Sequence, residues 1–199
     1  MNAIVSHEHE FEAAPGLPEP LPRGETLLWQ GSPDGRRLTF DALHWRALAL
    51  YFVLLIGWQA GGVLLNGGDA VAALRAALLG LPLALLALGL LALVGWLMAR
   101  SAVYTITDRR VVMRIGIVLT VTFNLPFSQI AAAELRPRSG GCGDIALTLK
   151  DGQRIAWLHL WPHVRPWRVK HTQPMLRAVP DAARVGALLA QAAREHGAG

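Results

Sequence analysis

The carboxylates in the soluble part of this chain do not stand in the pairs that general acid–base catalysis uses. Beyond residue 100 the acidic side chains are scattered, and most fall in turns or on the terminal helix: Asp108, Glu134, Asp144, Asp151, Asp181 and Glu195. The sequence also lacks a G-x-S-x-G nucleophile motif, an H-E-x-x-H zinc motif and a glycine-rich phosphate loop before a helix. We therefore expect a protein that is not an enzyme.

The histidines and the single cysteine offer no strong metal or cofactor site. Cys142 stands in SGGCG, which is typical of a glycine turn, and one cysteine excludes an internal disulfide and a cysteine-rich metal site. His7 and His9 supply only two ligands at alternating spacing. A pigment within a bilayer typically takes an axial histidine, which both long apolar segments lack, and Gln59 is a more typical partner for a hydrogen bond between helices. We expect no metal and no cofactor.

One segment combines cations with aromatic rings. Residues 161–177, WPHVRPWRVKHTQPMLR, contain four cations, two tryptophans and three prolines but no acidic residue. This composition suits contact with acidic partner residues or lipid headgroups. The residues that we expect to make that contact are Trp161, His163, Arg165, Trp167, Arg168 and Lys170. The alternative is a solvated loop whose two tryptophans pack on the rest of the domain.

Two long apolar segments determine where this chemistry can act. Residues 47–65 contain no charge in 19 positions, and residues 76–99 contain none in 24. As helices they reach about 28 and 36 Å, against a hydrocarbon core of about 30 Å. A buried helical hairpin in a soluble core is the alternative, but such helices are normally shorter and have a polar face. The sequence predicts a two-helix transmembrane hairpin.

The flanking cations predict the orientation of that hairpin. Arg36, Arg37 and Arg46 precede the first span, and Arg100, Arg109, Arg110 and Arg114 follow the second, whereas the link at residues 66–75 carries only Arg75. Positive residues favour the cytoplasmic side. We expect a multi-pass membrane protein with both termini in the cytoplasm.

The first span also contains a close-packing motif. Gly57 and Gly61 form a small-xxx-small pair, which allows another helix to approach its backbone closely. We expect this face to pack on the second span of the same chain, and the alternative partner is a second copy in a homodimer.

The charge is distributed unevenly along the chain. Residues 1–25 carry a net charge of −4. Because the whole chain carries +5, residues 26–199 carry +9. A basic body beside an anionic leaflet explains this without nucleic acid, which we do not expect as a partner. The expected order is a disordered acidic tail over residues 1–24, a cytoplasmic strand and lead-in over 25–46, the hairpin over 47–99 and a soluble domain over 100–199.

The soluble part has the periodicity of a small β domain. Short β-rich runs lie between residues 101 and 135, and Ile117, Leu119, Val121, Phe123 and Leu125 alternate with more polar positions. DIALTLK and RIAWLHL predict a hairpin around Asp151-Gly152, which gives six strands after the spans. Residues 25–30 predict a further strand before the spans that pairs with this sheet.

An amphipathic helix is predicted over residues 180–195, with Val185, Leu188, Leu189 and Ala192 along one side. A small bent antiparallel sheet closed by such a helix is the plan of a pleckstrin-homology-like (PH-like) domain. The expected fold class is therefore an α+β membrane protein, with a transmembrane hairpin and an antiparallel β PH-like domain closed by a C-terminal helix.

Several motifs resemble those of a known family. TLLWQGSP, VYTITDRRVVMRIG, LTVTFNLPFSQIA, IALTLKDG, WPHVRPWR and TQPMLR followed by PDAARV are similar to segments of the photosynthetic-complex assembly proteins, the PuhB family of purple photosynthetic bacteria. The resemblance covers residues 24–194. VYTITDRRVVMRIG is shared widely among bacterial PH-like domains and indicates only the fold, whereas WPHVRPWR followed by TQPMLR is narrower.

The resemblance implies a factor that helps build the reaction centre, that is not an enzyme, that holds no pigment and that self-associates. It also implies a location in the bacterial inner (cytoplasmic or intracytoplasmic) membrane. Its partners would be reaction-centre subunits or their assembly intermediates. The alternative function is a membrane-anchored sensor of anionic lipid headgroups in an unrelated process, for which the same basic segment would be the contact.

Overall fold

The computed structural model describes residues 21–117, 119–150 and 155–196. The chain divides into two compact units. Residues 35–97 form a helical hairpin unit, and the segments before and after them form a β domain. The predicted acidic tail lies almost wholly outside the described residues, so its disorder remains a prediction.

The hairpin unit consists of three helices, α1 (Gly35–Ala42), α2 (Trp45–Leu65) and α3 (Ala70–Ser101). The most apolar window of α2 is 0% buried and that of α3 is 6% buried, whereas the core helix of a soluble protein is mostly buried. The 21 and 32 residues of α2 and α3 reach about 32 and 48 Å, enough to cross a bilayer. Together with the domain that follows, they confirm the predicted membrane hairpin.

The link between the two long helices is shorter than the sequence predicted. α3 begins at Ala70, so only residues 66–69 connect α2 to α3, and Arg75 lies on the first turns of α3. Gly67 has φ 85°, a conformation that a glycine adopts without strain. Asp69 accepts a hydrogen bond from the Ala72 N–H at 2.7 Å and so caps the new helix. This cap allows α3 to begin before the apolar run.

The predicted lead-in before the first span contains a helix, α1, which contacts α3 at Gly95. A Cβ on Gly95 would lie 2.1 Å from the Thr39 hydroxyl oxygen, so only glycine permits this approach. The Trp45 indole N–H donates to the Leu88 carbonyl at 3.1 Å. The Phe40 and Trp45 rings meet edge to face at 5.3 Å. The turn from α1 into α2 passes through His44 at φ 53°.

The β domain is built from two antiparallel sheets. The first sheet contains four strands in chain order: β1 (Leu27–Gly31), β2 (Val103–Thr107), β3 (Arg110–Ile115) and β4 (Val121–Pro126). The second contains three: β5 (Ile130–Pro137), β6 (Gly143–Leu149) and β7 (Met175–Val179). A four-residue helix, α4 (Trp157–Leu160), and the terminal helix α5 (Ala182–His196) complete the domain.

β1 pairs with β2 across the whole hairpin, which confirms the predicted pairing of residues 25–30. Leu27 faces Thr107 and Gly31 faces Tyr104. The pairing is fastened just before the strand, where Glu25 accepts two hydrogen bonds from the Arg110 guanidinium at 2.7 and 2.8 Å. The Glu25 side chain is only 3% exposed, so this two-point ion pair is held in a poorly solvated position.

The predicted hairpin between DIALTLK and RIAWLHL is wrong. β6 pairs with β5 and β7, and residues 157–160 of the second segment form α4. The Asp151-Gly152 turn lies outside the described residues. The last strand is instead β7, at the end of the basic segment, where burial of all five residues leaves no alternation to detect. Six strands do follow the helical hairpin, but the sixth is β7 and not the segment RIAWLHL.

The alternation over residues 117–125 holds only near its end. β4 begins at Val121, Leu119 is 83% exposed, and Leu125 is 3% exposed. Ile117 and Leu119 lie instead in the turn between β3 and β4, where the backbone of Leu119 approaches Gly116 at φ 125°. A Cβ on Gly116 would meet the Leu119 carbonyl oxygen at 2.1 Å, so the tight turn requires glycine.

The core lies between the two sheets and α5. The sheets contribute buried residues that include Tyr104, Met113, Leu147 and Leu176. α5 buries Val185, Leu189 and Ala192 in the same core, as its periodicity predicted, and Leu188 packs against it partly buried. The helix packs on β5, β6, β7 and the short 3-10 turn before β5. The predicted α+β fold, with a PH-like domain closed by a C-terminal helix, is confirmed.

We predict that removing β1 destabilises the β domain, whereas removing the residues before it does not. Deletion of residues 1–22 should leave the free energy of unfolding unchanged. Deletion through Gln30 should lower it by at least about 2 kcal/mol, because it exposes Tyr104 and Ile106 and leaves Arg110 unpaired. Urea denaturation in mild detergent, followed by near-ultraviolet circular dichroism, measures the difference. Equal transition midpoints for the two truncated chains would contradict this role of β1.

Candidate functional site

The basic segment forms a loop whose two ends are joined. After α4 the chain passes through a cis Trp161–Pro162 bond and buries residues 162–164. Val164 and Pro174 form an antiparallel bridge, the Arg165 N–H donates to the Gln173 carbonyl at 3.0 Å, and the Met175 N–H donates to the His163 carbonyl at 3.0 Å. Residues 166–172 therefore project from a hydrogen-bonded base, and we call them the Trp167 loop.

His163 supports the base of the loop from within the core. Its side chain is 2% exposed, and its Nδ1 lies 2.5 Å from the hydroxyl of the fully buried Tyr104. The Tyr104 oxygen in turn accepts the Arg177 N–H at 3.2 Å. Because that oxygen carries one hydrogen, a neutral His163 accepts it at Nδ1 and holds its own proton on Nε2.

Burial decides the protonation of both partners. Burial, and secondarily the positive charge of Arg177, lowers the pKa of His163 to about 3. Burial also raises the pKa of Tyr104 well above its ordinary value. Both groups are therefore neutral at physiological pH, and His163 cannot present a charge to a partner. The expectation that His163 contacts a partner is corrected: an isolated histidine in a basic segment resembles a surface residue, but this one completes an internal hydrogen bond.

A carboxylate holds the neighbouring strands together. One oxygen of Asp144, on β6, accepts the Ala178 N–H of β7 at 3.0 Å, and the other accepts from the Arg138 guanidinium at 3.0 and 3.2 Å. The Ala178 backbone has φ 49°, and this hydrogen bond helps to hold that conformation. The side chain of Arg138 in this way ties the turn before β6 to the strand.

Arg165 is fixed against the sheet rather than available at the loop tip. Its guanidinium pairs with Glu134 on β5 and donates to the Gln173 side-chain oxygen at 3.2 Å. Gln173 in turn donates to the Thr148 hydroxyl at 3.0 Å. Arg165 is therefore a brace for the base of the loop, and its charge is already partly compensated by Glu134.

Four of the six expected contact residues do face solvent. Trp167 is 96% exposed, Trp161 is 44% exposed, and Arg168 and Lys170 are exposed. The interpretation that both tryptophans pack on the domain is thus wrong for Trp167. Val169, which is not among the six expected residues, is also exposed, at 65%.

The buried polar residues beneath the loop do not stand out in the sequence. Tyr104 and Asp144 lie 22 or more positions before the loop in the chain, and Arg177 lies five positions after it, on three different strands. The available signal was weak: Arg177 interrupts the otherwise apolar β7, and Tyr104 is one aromatic residue of β2. Such interruptions identify a buried polar network only once the strands are paired.

The glycine pair of α2 does not pack on α3. A Cβ placed on Gly57 or Gly61 would meet no heavy atom within 4 Å. The close approach occurs at Gly80 of α3, where a Cβ would lie 3.1 Å from Ile56 and 3.3 Å from the Gln59 side-chain oxygen. The expected intrachain contact through Gly57 and Gly61 is therefore wrong, because their face of α2 points away from α3.

Comparison with known sequences identifies the family of this chain. Residues 69–193, more than half of the chain, match the family described as Bacterial PH domain, bPH_2. The chain belongs to the bacterial PH domain family. The matched region of this bacterial PH protein contains all of α3 as well as β2 to β7.

One relative resembles the bacterial PH protein over nearly its whole length. A Rhodobacter capsulatus protein is 39% identical over 192 residues, which are 96% of this chain and 90% of that protein. It is named "Uncharacterized 23.7 kDa protein in puhA 5'region". No solved structure gave a significant match.

We predict that the β domain of this bacterial PH protein loses stability in mild acid through His163. The unfolded chain protonates this histidine at an ordinary pKa of about 6.5, whereas the folded domain does so only near about 3. Below the higher value the unfolded state binds more protons, so the free energy of unfolding falls as the pH drops. Between about pH 7 and about pH 5 the loss should be about 2 kcal/mol.

Urea denaturation across this pH range measures the effect. The variant His163→Asn keeps an acceptor near the position of Nδ1 and should lose this share of the pH dependence. The variant His159→Gln changes an exposed histidine on α4 and should retain it. An unchanged pH dependence in His163→Asn would show that another group is responsible.

Proposed function

We propose that this bacterial PH protein is a non-enzymatic assembly factor for the photosynthetic reaction centre, which docks membrane subunits or their assembly intermediates. The observation that carries the proposal is the relative whose name places it in the puhA 5′ region. Its 39% identity extends over 96% of this chain, so hairpin and β domain are both shared. The motifs similar to the PuhB family support the same process.

The architecture supports a docking role rather than catalysis. The titratable groups whose pKa values depart most strongly, Tyr104 and His163, are bonded to each other in the core instead of facing a cleft. Perturbed groups of that kind stabilise a fold, whereas catalytic ones must reach a substrate. We infer that the protein contributes binding surfaces and no reaction.

The open face of α2 is the surface best suited to a membrane subunit. Gly57 and Gly61 are one turn apart and unobstructed, so the backbone of another helix can approach there. Close packing is the main source of helix association in lipid, where apolar surface alone gives no preference for a partner. We propose that a helix of a reaction-centre subunit occupies this face, and a second copy of this chain is the competing occupant.

The charge distribution supports a cytoplasmic position for the β domain. α1 and the start of α2 carry Arg36, Arg37 and Arg46, whereas the link at residues 66–69 carries no cation. We propose that both termini lie in the cytoplasm and that the hairpin sits in the inner membrane.

We predict that deleting the gene lowers the amount of reaction centre in the membrane while pigment synthesis continues. The reason is that an assembly factor raises the yield of a complex without making its cofactors. Near-infrared absorbance of membranes, compared with total extracted bacteriochlorophyll, measures the two quantities separately. Normal reaction-centre absorbance in the deletion strain would sink the assembly proposal.

Two sets of variants test the docking face in the same assay. Gly57→Leu combined with Gly61→Leu should lower reaction-centre absorbance towards the level of the deletion strain, because two isobutyl groups block close helix approach. Gly89→Leu is the matched control, since Gly89 on α3 is equally open. Equal absorbance in the wild type, the Gly57→Leu/Gly61→Leu strain and the Gly89→Leu strain, at matched expression, would show that the contact lies on another surface. Loss of self-association together with normal absorbance would assign the face to a second copy.

A further inference from the structure

The Trp167 loop displays an apolar side chain that the folded domain does not use. Trp167 is 96% exposed and its backbone has φ 64°, which is unfavourable for a residue with a Cβ. Val169, two residues on, is 65% exposed. A tryptophan held in water in a strained conformation contributes nothing to the core, so its place in the loop calls for an external contact.

The loop is fixed well enough to present that side chain. Its base is joined by the Val164–Pro174 bridge and by the Arg165 N–H to Gln173 carbonyl bond at 3.0 Å. The Thr172 hydroxyl reaches the Val169 carbonyl at 3.4 Å across the tip. A preorganised loop loses less conformational entropy on binding than a flexible one.

The charges around Trp167 specify the chemistry of the contact. Arg168 and Lys170 flank Val169, both are exposed, and neither has a carboxylate partner among the residues that the structure describes. Residues 155–177 contain no acidic residue, and Glu134, which approaches the base, already pairs with Arg165. The tip therefore offers one indole ring and two uncompensated cations to an anionic surface.

An anionic bilayer has the properties that this tip requires. Tryptophan concentrates at the boundary between headgroups and acyl chains, and lysine and arginine near the surface are attracted to acidic lipids. A bilayer is also always close, because α3 ends at Ser101 and β2 begins at Val103. Such tethering raises the effective concentration of lipid at the domain, so a small contact suffices.

We propose that the Trp167 loop inserts into the headgroup region of an anionic bilayer, with Trp167 at the acyl boundary and Arg168 and Lys170 on lipid phosphates. Arg165 and His163 act as positioning residues, since one braces the base on Glu134 and the other lies in the core. This inference concerns how the domain meets lipid and does not depend on the role in assembly.

Site-specific fluorescence in the full-length chain tests the insertion. Replacing the single cysteine by Cys142→Ser allows one environment-sensitive dye to be placed by Val169→Cys, beside Trp167. The protein is reconstituted into vesicles of phosphatidylcholine alone or of phosphatidylcholine and phosphatidylglycerol in equal amounts. We expect blue-shifted emission and quenching by doxyl-labelled lipid only in the anionic vesicles, with both effects reduced by added salt.

Control positions and variants make the result specific to the loop. A dye placed by Ala187→Cys on the exposed face of α5 should show neither effect. Arg168→Gln with Lys170→Gln should reduce the ratio of inserted to free loop by about 30-fold, since each cation contributes roughly a factor of five. Arg184→Gln with Arg194→Gln removes two exposed cations from α5 and should leave insertion unchanged. Near-ultraviolet circular dichroism confirms that each variant is folded.

Three outcomes would overturn the proposal. A dye at position 169 that stays in water in both vesicles would show that the loop does not meet lipid, and would leave a protein partner as its occupant. Equal quenching at positions 169 and 187 would show adsorption of the whole domain. Equal losses in the two double variants would show a general charge effect without a specific loop.

Discussion

The pairing of β1 with β2 is the constraint on which the rest of the molecule depends. It joins Leu27–Gly31 to Val103–Thr107, two segments separated in the chain by all three helices of the hairpin unit. A hydrogen-bonded strand pair cannot extend across a bilayer, so the pairing predicts that both flanks of the hairpin lie on the same side. The Glu25–Arg110 ion pair and the exchange of hydrogen bonds between Thr26 and Asp108 fasten the same junction. The β domain is therefore complete only when the segments before and after the hairpin come together.

A second interaction connects this junction to the exposed loop. Tyr104 lies on β2, next to the strand that precedes the hairpin, and its hydroxyl bonds to His163 at the base of the loop and to the Arg177 N–H on β7. One side chain thus links the first sheet, the second sheet and the loop within the core. Hydrogen bonds in such a poorly solvated place are costly to leave unmade, so they favour one arrangement of the loop base. The base therefore holds one conformation beneath a tip that carries the exposed Trp167 at φ 64°.

Much of this architecture could be read from the sequence because its signals are local. Uncharged apolar runs predict the spans whatever surrounds them, the 3.6-residue stripe predicts α5, and the apolar character of Leu27, Leu28 and Trp29 predicts β1. β7 could not be predicted from alternation, because all five of its residues are buried and Arg177 is typical of a surface segment. α1 could not be predicted either, because its packing depends on Gly95, more than fifty positions away in the sequence. The burial of His163 cannot be predicted locally, because it depends on Tyr104, which only the folded sheets bring within reach.

The same-side arrangement can be measured directly by reporters of membrane topology. A reporter active only in the cytoplasm and one active only in the periplasm would each be fused before Gly24, inserted at Gly68 in the short link, and fused after Gly199. The β1–β2 pairing predicts that the first and third positions report the same compartment, which the arginine distribution predicts to be the cytoplasm, and that Gly68 reports the periplasm. Opposite compartments for the first and third positions would contradict the joining of β1 to the β domain across the hairpin.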